Sequence, residues 1–170
     1  MRGWRPRANT RKRFWGCWML SKLVALGCLA LGASAQPANV LNVSVPLRTS
    51  AKRGGEMQLR LTLKLQDGYH VNSHKPADEY LIPLRITWNK GPIEAVETVF
   101  PEPRLERYAF SPKPVSVFSG VFEVITRFKV APSAPVGLVA VSGKLRYQAC
   151  TEKMCLPPRT IDIKAPVEVH

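Results

Sequence analysis

The residues best suited to chemistry in this chain are two cysteines, Cys150 and Cys155, in the segment YQACTEKMCLPP. Their spacing fits a structural disulfide, part of a metal site, or a dithiol that exchanges disulfides. A redox dithiol needs an attacking thiolate, a second sulfur that resolves the mixed disulfide, and access for another protein. Two sulfurs in a short loop provide the last two requirements. The sequence does not establish the first: Lys153 between the cysteines would favour a thiolate by its charge, but an exposed lysine is usually only solvated.

A structural disulfide is the simplest alternative for this pair. In the chain-entropy model, a bond enclosing so short a loop stabilises the fold by about 2 kcal/mol, against about 4.7 kcal/mol for a hundred-residue loop. The bond would also join segments that a hairpin already holds together. A purely structural role would therefore add little stability here, but the placement alone leaves it open.

A metal site is the third alternative. His70 and His74 form an H-x3-H pair, and with the two cysteines they could offer four zinc ligands. Exported thiols, however, meet oxidants before they meet zinc. The metal site is therefore the least favoured of the three, and we expect no cofactor other than a redox-active disulfide.

The N-terminus has the charged, apolar, small-residue order of a secretory signal peptide. It contains seven basic residues, then LVALGCLALGA, then Ala33-Ser34-Ala35. The apolar run of about 11 residues is shorter than the roughly 20 that a helix needs to cross a bilayer. We therefore predict a signal peptide over 1–35, cleavage after Ala35, and one exported, periplasmic or similarly located domain over 36–170 without a transmembrane helix. Gly27-Cys28 is similar to a lipoprotein acylation site, which leaves a lipid anchor at Cys28 open.

Removal of this leader changes both the charge and the cysteine count. The whole chain has a net charge of +13, and the leader holds seven of its basic residues and no acidic ones. The remaining surface is only moderately basic and has no basic run, so we do not expect nucleic-acid binding. Cys150 and Cys155 are then the only cysteines, and in an oxidising compartment such a pair forms a disulfide unless another protein reduces it.

The segments that position the cysteines alternate apolar and polar residues with a period of two, as half-buried strands do. The clearest is MQLRLTLKL, and the other candidates are 40–47, 82–88, 95–100, 121–130, 138–148 and 160–169. Turn signals separate them and helical periods are scarce. Seven or eight short strands predict an immunoglobulin-like antiparallel β-sandwich, with a small β-barrel as the alternative. The cysteines would lie on the loop between the last two strands, at one end of the sandwich.

Three segments together resemble the N-terminal periplasmic domain of the DsbD family of thiol:disulfide interchange proteins. They are YQACTEKMCLPP, in which Tyr147, Pro157 and Pro158 flank the cysteines, DGYHVNSHKPADEYLIPLRITW, and the final TIDI strand. The resemblance covers roughly 40–169. It implies an immunoglobulin-like domain that receives electrons from a membrane-embedded domain through a thioredoxin-like domain. Such a domain passes them to exported disulfide isomerases or cytochrome c maturation thioredoxins.

The resemblance also implies roles for individual residues. Cys155 would form the mixed disulfide with partners, and Cys150 would resolve it. Phe118 matches a phenylalanine that shields the sulfurs in the family, although a buried core aromatic is an equal alternative at that position. Shielding would extend to the turn containing Tyr69, where the family's tyrosines are replaced by His70 and Asn72. The acidic residues that precede the family's phenylalanine are replaced by Ser116 and Val117.

We therefore expect an exported thiol:disulfide exchange protein with the activity of a protein-disulfide reductase. The sequence ends at His170 without a transmembrane block or a C-x-x-C domain, which predicts a thioredoxin-like or membrane-embedded electron donor on a separate chain. An exported disulfide isomerase or a cytochrome c maturation thioredoxin would be the acceptor. The alternative is a non-catalytic binding or assembly module with a structural disulfide.

Overall fold

A computed structural model describes residues 39–170, and the segment is built from β-strands and turns. The predicted signal peptide and Cys28 lie outside the described residues. Its strands are β1 (Leu41–Ser44), β2 (Thr49–Ala51), β3 (Glu56–Leu65), β4 (His70–Asn72), β5 (Arg85–Trp88), β6 (Ile93–Val99), β7 (Arg104–Glu106), β8 (Val115–Ser119), β9 (Val121–Val130), β10 (Gly137–Tyr147), β11 (Ala149–Cys150) and β12 (Arg159–Val169). Within 39–170, no helix has the length and apolar character to span a membrane.

Two four-stranded sheets form the sandwich, which we call the body. One sheet has the antiparallel order β1-β3-β9-β6, and the other has the order β2-β12-β10-β5, in which only β2 pairs in parallel. Alternate residues of the long strands are buried, as in β3, where Leu59, Leu61 and Leu63 are fully buried. They join one apolar core with Phe128 and Leu145. The alternation predicted from sequence is therefore the inward face of each sheet.

A third sheet, which we call the end sheet, has the order β11-β4-β8-β7. Its strands follow or precede long strands of the body, so that one end of the sandwich continues into it. β4 follows β3 after a turn at Gly68, and β8 joins β9 through Gly120; both glycines have positive φ, of 80° and 66°, which favours glycine over other residues. β11 follows β10 after Gln148. The cysteine loop thus begins on a strand that the body supports.

The architecture confirms the predicted immunoglobulin-like sandwich, and the sheets of the described segment do not close into a barrel. Each of the seven segments predicted as strands overlaps an observed strand, and the limits of β9 agree with the prediction. The structure adds five strands of two to five residues, namely β2, β4, β7, β8 and β11. Four of these five form the end sheet, so the sheet that positions the cysteines is the part that periodicity did not reveal.

Candidate functional site

The two cysteines close a tight hairpin at the edge of the end sheet. Their sulfurs form a disulfide of 2.00 Å, and the two residues pair as an isolated antiparallel bridge. Below the bridge, the Leu156 amide donates to the Ala149 carbonyl at 2.8 Å. Above it, the Thr151 amide donates to the Met154 carbonyl at 2.8 Å. Backbone hydrogen bonds therefore hold the hairpin on both sides of the disulfide.

The Thr151 side chain organises the turn of this hairpin. Its hydroxyl accepts hydrogen bonds from the amides of Lys153 and Met154 at 3.3 and 3.2 Å, and it donates to the Met154 carbonyl at 3.2 Å. Such local hydroxyl bonds stabilise turns. At the base, the Gln148 amide group donates to the Leu156 carbonyl at 3.1 Å. The loop thus has side-chain supports that do not depend on the disulfide.

The two sulfurs differ in how accessible their residues are. Cys150 is 0% exposed, whereas Cys155 is half-buried. The loop around Cys155 is open to solvent, and Met154 next to it is 60% exposed. Because disulfide exchange requires an incoming thiolate to reach one sulfur in line with the bond, a protein partner can approach Cys155 more easily than Cys150.

The strand register places His70 beside Cys150. In the end sheet, Cys150 lies opposite His70, and His70 lies opposite Ser119. Directly opposed residues project from the same face of a sheet. The neighbouring row, Ala149, Val71 and Phe118, projects from the other face and belongs to the main core. The end sheet therefore has a core face and a face that contains the disulfide.

Two aromatic residues that follow β7 cover His70 on the disulfide face. The rings of His70 and Tyr108 stack with centroids 4.1 Å apart, and Tyr108 stacks in turn on Phe110 at 5.2 Å. The Tyr108 hydroxyl donates a hydrogen bond to the Glu106 carboxylate. A small open cavity of about 190 Å³ lies here, with Tyr69, His70, Glu106, Tyr108, Ser119 and Glu152 in its lining. The disulfide face thus combines titratable groups with an opening to solvent.

Burial changes the protonation of these groups. His70 is 4% exposed; its burial lowers its pKa, and the nearby Glu106 carboxylate opposes this effect. Burial, followed by the hydrogen bond to Glu106, raises the pKa of Tyr108. His70 is therefore neutral at neutral pH. Its Nε2 atom is buried and has no hydrogen-bond partner among the described residues.

Phe118, the predicted shielding residue, is 4% exposed in β8. Its ring stacks on Phe122 at 4.8 Å, and it lies in the core row with Val71. Its other ring contacts are more distant, at 6.3 Å to Phe100 and 6.4 Å to His74. This placement matches the core-aromatic alternative, and the shielding role stays a prediction.

The other residues of the predicted shielding turn have different surroundings. Tyr69 is half-buried and lines the cavity. Asn72 is fully buried and donates to the Ile82 carbonyl at 3.0 Å, which ties the segment after β4 to the end sheet. Asn72 therefore supports the sheet, while Tyr69 and His70 lie close to the cysteine loop.

The two histidines of the H-x3-H pair lie in separate aromatic stacks. His70 stacks on Tyr108, whereas His74 stacks on Phe100 at 4.5 Å. Among residues 39–170, no three or more His, Cys, Asp or Glu side chains come together as a potential metal site. The structure thus places the pair in two aromatic environments and the two thiols in one disulfide.

The flanking residues hold the ends of the hairpin. Tyr147, 2% exposed, ends β10 and packs in the main core, whereas Pro157 and Pro158 are exposed. Sequence reasoning missed the residues that reach the site from outside the cysteine segment, above all Glu106 and Tyr108. One signal was present: Glu106, Tyr108 and Phe110 alternate with a period of two, which indicates a common face.

The family model for the N-terminal domain of thiol:disulfide interchange protein DsbD matches residues 38–166 of this chain. The chain belongs to this DsbD N-terminal family. The match includes the cysteine hairpin, His70 and the Glu106–Tyr108 pair, so the disulfide of this structure lies within the family domain. No curated protein sequence matches the chain.

One solved structure supports the fold assignment of this family member, and two others are more distantly similar. The N-terminal periplasmic domain of ScsB from Proteus mirabilis is similar at a TM-score of 0.50 and 15% identity, over 78% of this chain and 48% of that one. The chain thus spans about half the length of that structure. A family 123 glycoside hydrolase from Clostridium perfringens has a TM-score of 0.36 at 15% identity, over 76% of this chain and 27% of that one. PapD-like domain 7 of human CEP192 has a TM-score of 0.36 at 10% identity, over 86% of this chain and 96% of that one.

Proposed function

We propose that this chain is an exported thiol:disulfide exchange protein with protein-disulfide reductase activity. The observation that most supports the proposal is the unequal exposure of the two cysteines, with Cys150 buried and Cys155 half-buried in a hairpin that backbone hydrogen bonds hold together. Membership of the DsbD N-terminal family supports the same chemistry. The relation to the periplasmic ScsB domain favours a periplasmic location.

The reaction is an exchange of bonds between four sulfurs. In the reduced protein, the Cys155 thiolate attacks a disulfide of the partner, forms a mixed disulfide and releases one partner thiolate. The Cys150 thiolate then attacks the Cys155 sulfur, which forms the Cys150–Cys155 bond and releases the second partner thiolate. The partner gains two electrons and this protein loses two.

A donor dithiol would run the same steps in reverse to regenerate the reduced protein. We propose a thioredoxin-like or membrane-embedded dithiol as the donor. An exported disulfide isomerase or a cytochrome c maturation thioredoxin is the proposed acceptor. Contacts would centre on Cys155 and the exposed side chain of Met154, a small footprint that suits a transient redox encounter.

Trapping in cells tests this proposal. In Cys150→Ala, a mixed disulfide at Cys155 cannot be resolved, so covalent complexes with donor or acceptor should accumulate in the exported fraction. Cys155→Ala is the matched control, because it keeps one cysteine in the same hairpin but removes the more accessible sulfur. We expect complexes in the first variant and their loss in Cys150→Ala/Cys155→Ala.

A second measurement separates exchange from a structural bond. The disulfide of an exchange protein should equilibrate with a glutathione buffer while the circular dichroism spectrum of the β-sandwich persists. A binding module with a structural disulfide would instead resist the buffer, or would unfold once reduced. That result, together with an absence of trapped partners while the wild-type pair is shown to cycle, would refute the proposed exchange.

A further inference from the structure

Resolution of the mixed disulfide presents a chemical problem at Cys150. This thiol must lose its proton before it attacks Cys155, and it must regain one when a donor reduces the protein. Cys150 is 0% exposed, so water cannot readily exchange that proton. Burial without a charged partner also disfavours the thiolate. The reaction therefore requires a proton acceptor next to the buried sulfur.

His70 meets this requirement by position. It lies opposite Cys150 on the adjacent strand, and directly opposed residues have their Cβ atoms about 4.5 to 5.5 Å apart on one face. His70 is itself 4% exposed, and its Nε2 atom is buried without a hydrogen-bond partner among residues 39–170. Buried polar atoms are nearly always bonded, so Nε2 is an exception, and no other described group competes with Cys150 for it.

The surroundings of His70 connect it to solvent. Tyr108 stacks on its ring and is hydrogen-bonded to Glu106 from β7. Tyr69 before β4 and Glu152 from the cysteine loop complete the titratable groups around the cavity. The cavity of about 190 Å³ opens to the surface, so a proton received at His70 can leave without passing through the core.

We propose that His70 is the proton acceptor for Cys150 during resolution and the proton donor during reduction. This inference rests on the proposed exchange function. In the mixed disulfide, the Cys150 thiol gives its proton to neutral His70. The Cys150 thiolate then forms the bond to Cys155, and the bond from Cys155 to the partner sulfur breaks, so that the partner leaves as a thiolate. In the opposite direction, His70 takes up a proton from solvent through the cavity and passes it to the departing Cys150 thiolate.

Stopped-flow reaction of the reduced protein with dithiobis(nitrobenzoate) isolates this step. The first coloured thiolate appears when Cys155 attacks the reagent, and the second appears when Cys150 resolves the mixed disulfide. In His70→Gln we expect the second phase at neutral pH to slow by about a hundredfold, the lower end of what a positioned proton acceptor contributes. The first phase should keep its rate, and Cys150→Ala should show the first phase alone.

His74→Gln is the matched control. Burial also lowers the pKa of His74, and its Nδ1 atom is also buried without a partner among the described residues, but it stacks on Phe100 and does not pair with β11. We expect the second phase of His74→Gln to have the wild-type rate. An unchanged second phase in His70→Gln, or equal slowing in both variants, would overturn the role of His70.

Glu106→Gln provides a test if His70→Gln does not fold. The Glu106 carboxylate raises the pKa of His70. Its removal should therefore lower the pH at which the rate of the second phase reaches half of its maximum. An upward move or no move would contradict the inference. This result can be told apart from failure of the exchange function. If Cys150→Ala traps partners but the second phase is unaltered in His70→Gln, only the role of His70 is refuted. If no partner is trapped, both proposals are refuted.

Discussion

The body and the region of the end sheet differ in how completely their buried polar side chains are hydrogen-bonded. In the body, Thr126 is the buried polar side chain, and it is hydrogen-bonded to Trp88 at 3.2 Å and Thr98 at 3.1 Å. In and after β4, the buried polar residues are His70, Asn72 and Ser73. The buried side-chain atoms that lack partners in the described segment all belong to residues 70–74.

This difference indicates that stability and the chemistry of the disulfide depend on different parts of the domain. Long strands with one apolar face supply the burial that stabilises the domain. The short strands of the end sheet contribute less apolar area but bring Cys150, His70 and Glu106 to one place. Unsatisfied polar groups reduce stability, and one of them, His70 Nε2, lies on the disulfide face, where the proposed proton transfer would use it.

Phe118→Ala tests the boundary between the two regions and has the largest expected effect on stability. Because Phe118 packs in the main core, its truncation should lower the free energy of unfolding by about 3 kcal/mol. Urea titration of the oxidised protein measures this change, and Phe118→Leu is the conservative control. If the ring mainly shields the sulfurs, stability would change little and dithiothreitol would reduce the disulfide faster.

Gly143→Ala perturbs the body alone, with a smaller effect. A Cβ atom at Gly143 would lie 2.7 Å from the Thr87 carbonyl oxygen and 2.8 Å from the Trp88 ring. We expect a loss of about 2 kcal/mol in unfolding free energy from this overlap, with an unchanged equilibrium between the disulfide and glutathione. Gly91→Ala is the matched control, since a Cβ there meets nothing within 4 Å. A shifted redox equilibrium in Gly143→Ala would show that the two regions are coupled.

The pH dependence of stability has the smallest expected effect and tests the end sheet. Burial lowers the pKa of His70 and, together with the charge of Lys75, that of His74. The unfolded chain therefore binds more protons than the folded one as pH falls below about 6.5, the ordinary histidine value. Stability should be fully present above that pH and decline as pH falls through the lowered values.

Urea titrations at about pH 7.5 and pH 5, on either side of the ordinary histidine pKa, measure this decline. His70→Gln should flatten the dependence, and the exposed His170→Gln is the matched control. A wild-type stability that rises towards pH 5 would contradict the burial of neutral His70 and His74 in and after β4.

The sequence predicted the body well because each long strand contains its own signal. Alternation in MQLRLTLKL or in 121–130 depends only on which residues of that segment face the core, so a local pattern suffices. The end sheet had no such signal, since strands of two to five residues are too short to show a period. Alternation therefore predicts no strand for a segment such as VSVFS, which forms β8.

The candidate site was predictable only in part for the same reason. Cys150 and Cys155 are five positions apart, and a disulfide between them is expected from the predicted oxidising compartment. Tyr108 and Glu106 reach His70 through the pairing of β7 with β8 and of β8 with β4. Such pairings join segments distant in sequence, and their register cannot be read from the local pattern of any one of these short segments.

By itself, the sequence determined the β-sandwich, the cysteine pair and the resemblance to the DsbD N-terminal family, because periodic burial and short spacings are local properties. Only the tertiary structure decided that Cys150 is buried, that Cys155 is the more accessible, and that His70 lies opposite the buried sulfur. These features depend on how remote strands align, and a shift of one residue in that alignment would turn His70 to the opposite face of the end sheet.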